Sequence, residues 1–378
     1  MDVRPIKESE KSAAAIAARA AGDGGAASPA GSARTASDTR PVRVRNVSLD
    51  CLRVGAFALI VLLHVFTPTG TVSEVCVVAS RVGVPLFFAI TGYFSVGAAP
   101  AKLALRFRKV AKMTAAAVAV YVVAGLAGVY DWSGAGQGVA AYFSGDWLGG
   151  FLLFNTFDFA FPLWYLFALL YVYVVLMAWR ALKLRDAWFV AIGLAVLAAR
   201  FACYEFSDAA EAFPPQAGRS WIGMGIPGFA LGMLVRMQAP RLARVPAPVI
   251  AAGVLAGLAC SWLEMRHFGY QEIYLGSVLM VLCLFAGVLR WPRPFSAGGP
   301  AWAARAVERA SRLGDMPSSV AYIVHLLFVG WLWTALPALG VTSYVQWAVW
   351  ACTVAASLAS GVAFTKALDA WKRWRARG

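Results

Sequence analysis

The sequence has few charged residues for its length and is strongly apolar. Charged residues make up 14% of the 378 residues and hydrophobic residues 60%. Ordinary soluble domains carry about 25% charged residues, so this balance argues against a water-soluble fold. The net charge of +15 does not indicate nucleic-acid binding, because the basic residues fall in clusters between long apolar runs and form no single stripe.

Cysteine and histidine are scarce and scattered. The six cysteines occur singly, with no CxxC pair and no zinc-like spacing, which indicates buried structural thiols and no metal site. The three histidines are His64, His267 and His325. Any histidine chemistry must come from these three. His267 follows Arg266 in a short connection, where we expect it to be exposed.

The two ends of the chain differ from the rest. Residues 1–45 are rich in Ala, Gly, Ser and Arg without a periodic apolar face, so we expect a disordered cytoplasmic tail. This tail has no apolar h-region and is therefore not a signal peptide. A short basic cytoplasmic tail is expected at 368–378. Residues 46–367 between them are expected to form one transmembrane domain.

The central region consists of apolar stretches separated by short polar connections. Each stretch is long enough to cross a hydrocarbon core about 30 Å thick. The predicted spans are 52–68, 75–97, 111–130, 162–180, 187–204, 219–237, 246–264, 270–289, 318–337 and 343–365. The sequence thus predicts an all-α polytopic membrane protein with about ten transmembrane helices.

Basic residues recur in every second connection between the predicted spans. Because Lys and Arg favour cytoplasmic loops, both termini are expected in the cytoplasm, as in a multi-pass protein of the bacterial inner (plasma) membrane. The intervening connections are acidic or neutral. The longest of them, 131–161, is rich in aromatic residues. It is expected either to lie in the outer membrane interface or to cover a substrate groove.

The first predicted span carries Arg53 and His64, eleven residues apart. At 100° per residue both lie on one helix face, separated by about 16 Å. Arginine binds phosphates bidentately, and a neutral imidazole accepts a proton from a hydroxyl. The pair suits a ligand with an anionic head at the cytoplasmic end and a reactive end deep in the protein. An ordinary interfacial arginine is the other interpretation of Arg53.

Two further polar residues lie at membrane depth, where charged groups cost about 2.5–3.5 kcal/mol each to insert. Arg81 in the second span lies at a depth similar to that of His64 and is expected to bind an acceptor or to pair with a carboxylate. Pro85, shortly after it, permits a kink. His325 in the ninth span either lines the same cavity as Arg53 and His64 or makes a hydrogen bond in the core.

Several segments of the chain form an ordered set of motifs. The first span has an Arg-x10-His pattern, and residues 84–94 read VPLFFAITGYF. PLWYL at 162–166, GFALG at 228–232 and YIVH at 322–325 follow in order. Together these motifs resemble those of the acyltransferase 3 family, whose second span reads VPLFFxISGYF, so that Thr91 stands in place of Ser. The resemblance covers about residues 48–366. One departure is KVAK at 109–112, where relatives often have RxxR followed by Phe-Pro.

The resemblance implies O-acylation of an envelope glycan, such as an exopolysaccharide or O-antigen, with cytoplasmic acyl-CoA as donor. Acetyl is the default acyl group and succinyl the alternative. His64 would act as general base on the acceptor hydroxyl. Arg53, helped by Arg106, Arg108 or Lys109, would bind the CoA phosphates. The residues expected to bind the acceptor are Arg81, Trp164 and His325. Arg81 would either position the acceptor or stabilise the developing oxyanion.

No permanently bound cofactor is expected. The expected partners are acyl-CoA, a glycan or lipid-linked glycan acceptor, membrane lipids and polysaccharide-assembly proteins, without nucleic acid. Two other classes stay open at this point. One is a transporter of a glycan or lipid-linked saccharide, which would also use membrane arginines and aromatic-lined cavities. The other is a structural partner in a polysaccharide-assembly complex.

Overall fold

A computed structural model describes residues 46–128, 145–156, 162–206, 215–294, 300–314 and 316–377. This part of the chain is helical and contains no strand, which confirms the all-α prediction. The predicted tail at 1–45 and most of the 131–161 connection lie outside the described residues. The helices are α1 (Val47–Val65), α2 (Thr71–Ser80), α3 (Gly83–Tyr93), α4 (Pro100–Leu126), α5 (Gly145–Phe154), α6 (Trp164–Ala181), α7 (Asp186–Phe206), α8 (Pro215–Gly218), α9 (Ile226–Met237), α10 (Ala239–Leu242), α11 (Ala247–Phe268), α12 (Leu275–Arg290), α13 (Ala301–Leu313), α14 (Met316–Ala338) and α15 (Val345–Arg375).

Eight helices of the described region are long and apolar enough to cross a membrane, with α2 and α3 counted as one span. Two shorter apolar helices, Trp221–Met237 and Leu275–Arg290, lie where the sixth and eighth spans are predicted. The chain is therefore a multi-pass membrane protein. The last helix extends further than predicted, to Arg375, so most of the basic segment after 368 continues α15.

The second predicted span is broken in the middle. Helix α2 ends at Ser80, α3 begins at Gly83, and Arg81 lies in the turn between them. Pro85 explains the position of the break. A proline has no N–H for the carbonyl four residues earlier, which belongs to Arg81, and its ring crowds that carbonyl. The break leaves the Arg81 side chain at the junction of two helices.

A second irregularity precedes α9. Residues Trp221–Gly225 form one π-helical turn, closed by the Ile226 N–H donating to the carbonyl oxygen of Trp221. Pro227 follows and offers no N–H to the carbonyl oxygen of Gly223. The buried Arg200 of α7 donates to this oxygen through Nη1 at 3.0 Å. The widened turn is thus stabilised by a side chain from a neighbouring helix.

Helices α3 and α9 cross with their backbones in direct contact. A Cβ atom at Gly232 would overlap the carbonyl oxygen of Ala89, and one at Gly92 would overlap that of Phe229. Such close crossings need glycine at both positions, because any side chain would push the helices apart. This crossing holds the VPLFF segment of α3 against the GFALG segment of α9 and fixes the distance between the two helices.

Two carboxylates connect the helices on the side of the bundle formed by α2, α11 and α12. Glu74 of α2 accepts hydrogen bonds from Trp262 Nε1 at 2.9 Å and Arg266 Nη1 at 3.1 Å, both on α11. Glu264 accepts from the backbone N–H groups of Leu275 and Gly276 at 2.7 and 2.9 Å. This second contact caps the N-terminus of α12, where an anion is favoured. The loop between α11 and α12 is therefore anchored at both ends.

Replacing Gly232 by Ala should destabilise the protein by about 1–3 kcal/mol, because the added methyl group forces α3 and α9 apart. Gly330→Ala is the matched control: Gly330 lies exposed in α14 with no atom within 4 Å of an added Cβ. The thermal unfolding midpoint of each purified variant in detergent measures the effect. Equal midpoints for the two variants would contradict the close crossing.

Candidate functional site

A cavity of about 90 Å³ lies in the half of the bundle that contains the C-terminal end of α1. At about 10–15 Å³ per water it has room for roughly six to nine waters, and therefore for the reacting end of a substrate. Its wall is formed by α1, the α2–α3 break, the start of α6, the π-helical turn, the loop before α12, and α14. The lining residues are Ile60, Leu63, His64, Ser80, Arg81, Val84, Pro162, Trp164, Arg219, Met224, Tyr270, Glu272 and Tyr322.

His64 is paired with a second histidine. Its ring centroid lies 5.2 Å from that of His325, with the ring planes inclined at 44°. His325 is fully buried, and its Nδ1 lies 2.6 Å from the carbonyl oxygen of Tyr322. A carbonyl oxygen only accepts, so Nδ1 carries the proton and Nε2 presents a lone pair. Nε2 has no hydrogen-bond partner among the described residues.

Arg81 faces a carboxylate that the sequence analysis did not identify. Its Nη1 donates to Glu272 Oε2 at 2.9 Å. The other oxygen of Glu272 accepts from Nε of Arg219 at 2.5 Å, so one carboxylate is shared by two guanidinium groups. The Arg81 guanidinium also stacks on the ring of Tyr270, 4.2 Å from its centroid. Arg81 is only 3% exposed, which makes this pairing necessary for a charge inside the bundle.

Two opposing effects act on the pKa of Glu272, which lies in the loop before α12. Burial raises the pKa of this carboxyl, whereas the positive charges of Arg81, Arg219 and Arg200 lower it. The net result is a pKa below the ordinary value of 4.5. Glu272 is therefore ionised at neutral pH and forms a true ion pair with both arginines.

Aromatic rings close the cavity toward the interior. Trp164, predicted to bind the acceptor, lines the cavity, and its ring lies 6.4 Å from that of Phe88. The ring centroids of Tyr165 and Tyr322 are 5.4 Å apart, and the Tyr322 hydroxyl donates to the carbonyl oxygen of Pro162. The PLWYL segment thus meets the YIVH segment beside the histidine pair.

Arginines from several helices gather around the C-terminal end of α3, which we call the basic end of the bundle. The Arg53 guanidinium lies 5.6 Å from the ring centroid of Phe94. Arg106 Nη1 donates to the carbonyl oxygen of Phe94 at 3.0 Å. Arg180 donates to the carbonyl oxygen of Ser95, and Arg236 lies over the ring of Tyr93. Arg180 and Arg236 lie in basic clusters of the sequence, but nothing in those clusters predicts them as site residues.

The predicted site residues separate into three groups. His64, Arg81 and Trp164 line the cavity, and His325 contacts His64 from behind. Arg53 and Arg106 lie at the basic end, where Arg53 also forms an ion pair with Asp50 at 2.8 Å. The side chains of Arg108 and Lys109 are exposed on α4. The described residues contain no group of three His, Cys, Asp or Glu side chains placed to hold a metal ion.

Replacing Glu272 by Gln should lower the stability at neutral pH by about 3 kcal/mol, since it leaves buried Arg81 without its counter-ion. Because the pKa of Glu272 is lowered in the folded protein, its stabilising contribution is full above pH 4.5 and is lost as the pH falls through the folded value. The unfolding midpoints of wild type and variant, measured from pH 7 downward, should therefore converge in acid.

Glu308→Gln is the matched control for that measurement. Glu308 is exposed and pairs with Arg312 at 3.9 Å, so its loss should change the midpoint little at any pH. A constant difference between wild type and Glu272→Gln across the pH range would show that charge is not the cause.

The comparison with protein families identifies the chain. An acyltransferase domain, that of the acyltransferase 3 family, matches residues 46–366. Comparisons with curated proteins and with solved structures found no match. The family match confirms the resemblance carried by the first two spans and the later motifs. The chain therefore belongs to the acyltransferase 3 family and is a multi-pass membrane acyltransferase.

Proposed function

We propose that the protein transfers an acyl group, acetyl by default, from acyl-CoA to a hydroxyl of an envelope glycan in the bacterial inner membrane. The observation that carries this proposal is the placement of His64. It lies on the wall of the cavity, on the same helix as Arg53 of the basic end. One helix thus connects a cationic region with a half-buried base about 16 Å away.

The donor is proposed to bind with its phosphates at the basic end. Arg53 and Arg106 converge there on Phe94, and guanidinium groups are well suited to phosphate oxygens. CoA carries its phosphates and its thioester at opposite ends of a long flexible arm. A donor bound in this way would extend the arm along α1 and place the thioester near His64. On this proposal the basic end faces the cytoplasm, where acyl-CoA is made.

The reaction requires a base that accepts the proton of the acceptor hydroxyl. His64 would take the proton from the acceptor hydroxyl while the hydroxyl oxygen attacks the carbonyl carbon of the thioester. The tetrahedral intermediate would then collapse with cleavage of the C–S bond. The released CoA thiolate would take up the proton from His64. The products are the O-acyl glycan and CoA, and the imidazole returns to its neutral form.

His325 is proposed as a positioning residue for His64. Its Nδ1–H is held by the carbonyl oxygen of Tyr322, so the ring cannot turn without losing that bond. The lone pair on Nε2 is available to orient the imidazole of His64 beside it. The family membership supports acyl transfer and gives no support to the glycan transporter or the purely structural partner, which we do not propose.

His64→Ala should lower the rate of acyl transfer by about 10²- to 10⁴-fold, the usual contribution of a general base. The assay follows a labelled acetyl group from acetyl-CoA into the glycan fraction of membranes that contain equal amounts of folded protein. His267→Ala is the control, because His267 is exposed at the end of α11 and should leave the rate unchanged. Full activity of His64→Ala would refute the assigned role.

Arg106→Ala should raise the KM for acetyl-CoA by about tenfold, because a charge-assisted contact to phosphate is lost. Arg108→Ala on the exposed side of α4 is the matched control and should change KM little. A larger increase in KM for Arg108→Ala than for Arg106→Ala would place the donor on the exposed face of α4, where Arg108 and Lys109 lie.

A further inference from the structure

Arg81 keeps one edge of its guanidinium group without a hydrogen-bond partner. Nη1 is used by Glu272, whereas Nε and Nη2 are buried and have no partner among the described residues. Nε and Nη2 form the side edge of the guanidinium, with two N–H bonds that run parallel. This edge is the part of arginine that binds two oxygens of one anion at the same time.

The unused edge is an unusual feature for a buried cation. Buried donors of charged groups are nearly always paired, because an unpaired donor loses its hydration without compensation. The rest of the Arg81 side chain is fixed on all sides. Tyr270 covers one face of the guanidinium, and the pairing with Glu272 sets its rotation. The side edge is therefore held in place before any ligand binds.

The ion pair with Glu272 does not use up the capacity of Arg81 to bind an anion. Glu272 divides its negative charge between Arg81 and Arg219. Arg81 and His64 both line the same cavity. A ligand that reached Arg81 from this cavity would therefore lie next to the proposed base.

We propose that Arg81 binds a carboxylate or phosphate group of the acceptor through Nε and Nη2, so that the acceptor is an acidic saccharide. The acyl group would then go to a hydroxyl close to the anionic group, because the cavity is small and His64 shares it. This inference rests on the proposed function for the identity of the ligand as acceptor. The anion site itself rests on the geometry of Arg81.

The first experiment measures binding to the purified full-length wild type in detergent, without acyl-CoA. Methyl β-D-glucuronide supplies a carboxylate, glucose 6-phosphate supplies a phosphate, and methyl β-D-glucoside is the neutral control. A ligand that binds the folded protein raises its thermal midpoint. We expect stabilisation by the glucuronide, the phosphate or both, and none by the neutral glycoside at equal concentration and ionic strength. Comparison of the glucuronide with glucose 6-phosphate shows whether the site prefers a carboxylate or a phosphate.

The second experiment repeats the titration with Arg81→Lys, which keeps the positive charge but loses the parallel N–H edge. Affinity for the anionic sugar should fall by about tenfold. Arg266→Lys is the matched control, since Arg266 is an exposed arginine that also pairs with a glutamate. The affinity of this variant for the anionic sugar should equal that of wild type. If Arg81→Lys does not fold, Arg106→Ala decides the question. Stabilisation by the anionic sugar should survive this change at the basic end, and its loss would overturn the anion site.

The outcomes separate this inference from the proposed function. Equal stabilisation by all three sugars, by none of them, or by the neutral glycoside alone would overturn the anion site. In that case acyl transfer to a glycan would still support the enzyme. Selective binding of an anionic sugar without any acyl transfer would keep the anion site and refute the proposed reaction.

Discussion

The ion pair between Arg81 and Glu272 is the constraint on which the site depends. A guanidinium at this depth in an apolar bundle is costly unless a carboxylate neutralises it. The pair therefore joins the break between α2 and α3 to the loop before α12, which is itself anchored through Glu264. Because Glu272 also holds Arg219, three separate parts of the chain meet at one carboxylate. The cavity exists where they meet.

Charge divides the bundle into two functional halves. At the basic end, arginines from α1, α4, α6 and α9 surround the end of α3 and leave a region suited to phosphates. In the other half the arginines are tied to Glu272 around a small cavity. His64 lies on the wall of that cavity, and His325 contacts it from behind. Under the proposed function, this separation would suit a donor with an anionic head and a reactive tail, and it would keep the two substrates apart until their reactive groups meet.

The sequence predicts the class of fold and part of the site because polar residues in apolar runs are conspicuous. Arg53, His64, Arg81 and His325 are identified in this way. Glu272 is not, because the predicted span 270–289 places it at the end of a helix, where a carboxylate costs little. In the structure it lies in the loop before α12, which begins at Leu275. The sequence leaves His325 either in the same cavity as His64 or hydrogen-bonded in the core. It does not predict the direct contact between the two rings, because more than half of the chain separates them and helix packing alone brings them together. Pro85 predicts the break in the second span. The break lies one turn before the proline, at Arg81, because proline disrupts the hydrogen bond to the carbonyl four residues earlier.

Because the second span is interrupted, the rotation of α2 about its axis is not tied to that of α3. In a continuous helix, one inserted residue rotates everything beyond it by about 100°. At Arg81 and Val82 a turn absorbs such a rotation, so α2 can shift without moving the glycine face of α3 that packs on α9. Sequence changes on the α2 side would then reshape the cavity wall and leave the basic end unchanged. Under the proposed function, such changes would alter the acceptor site and keep the donor site.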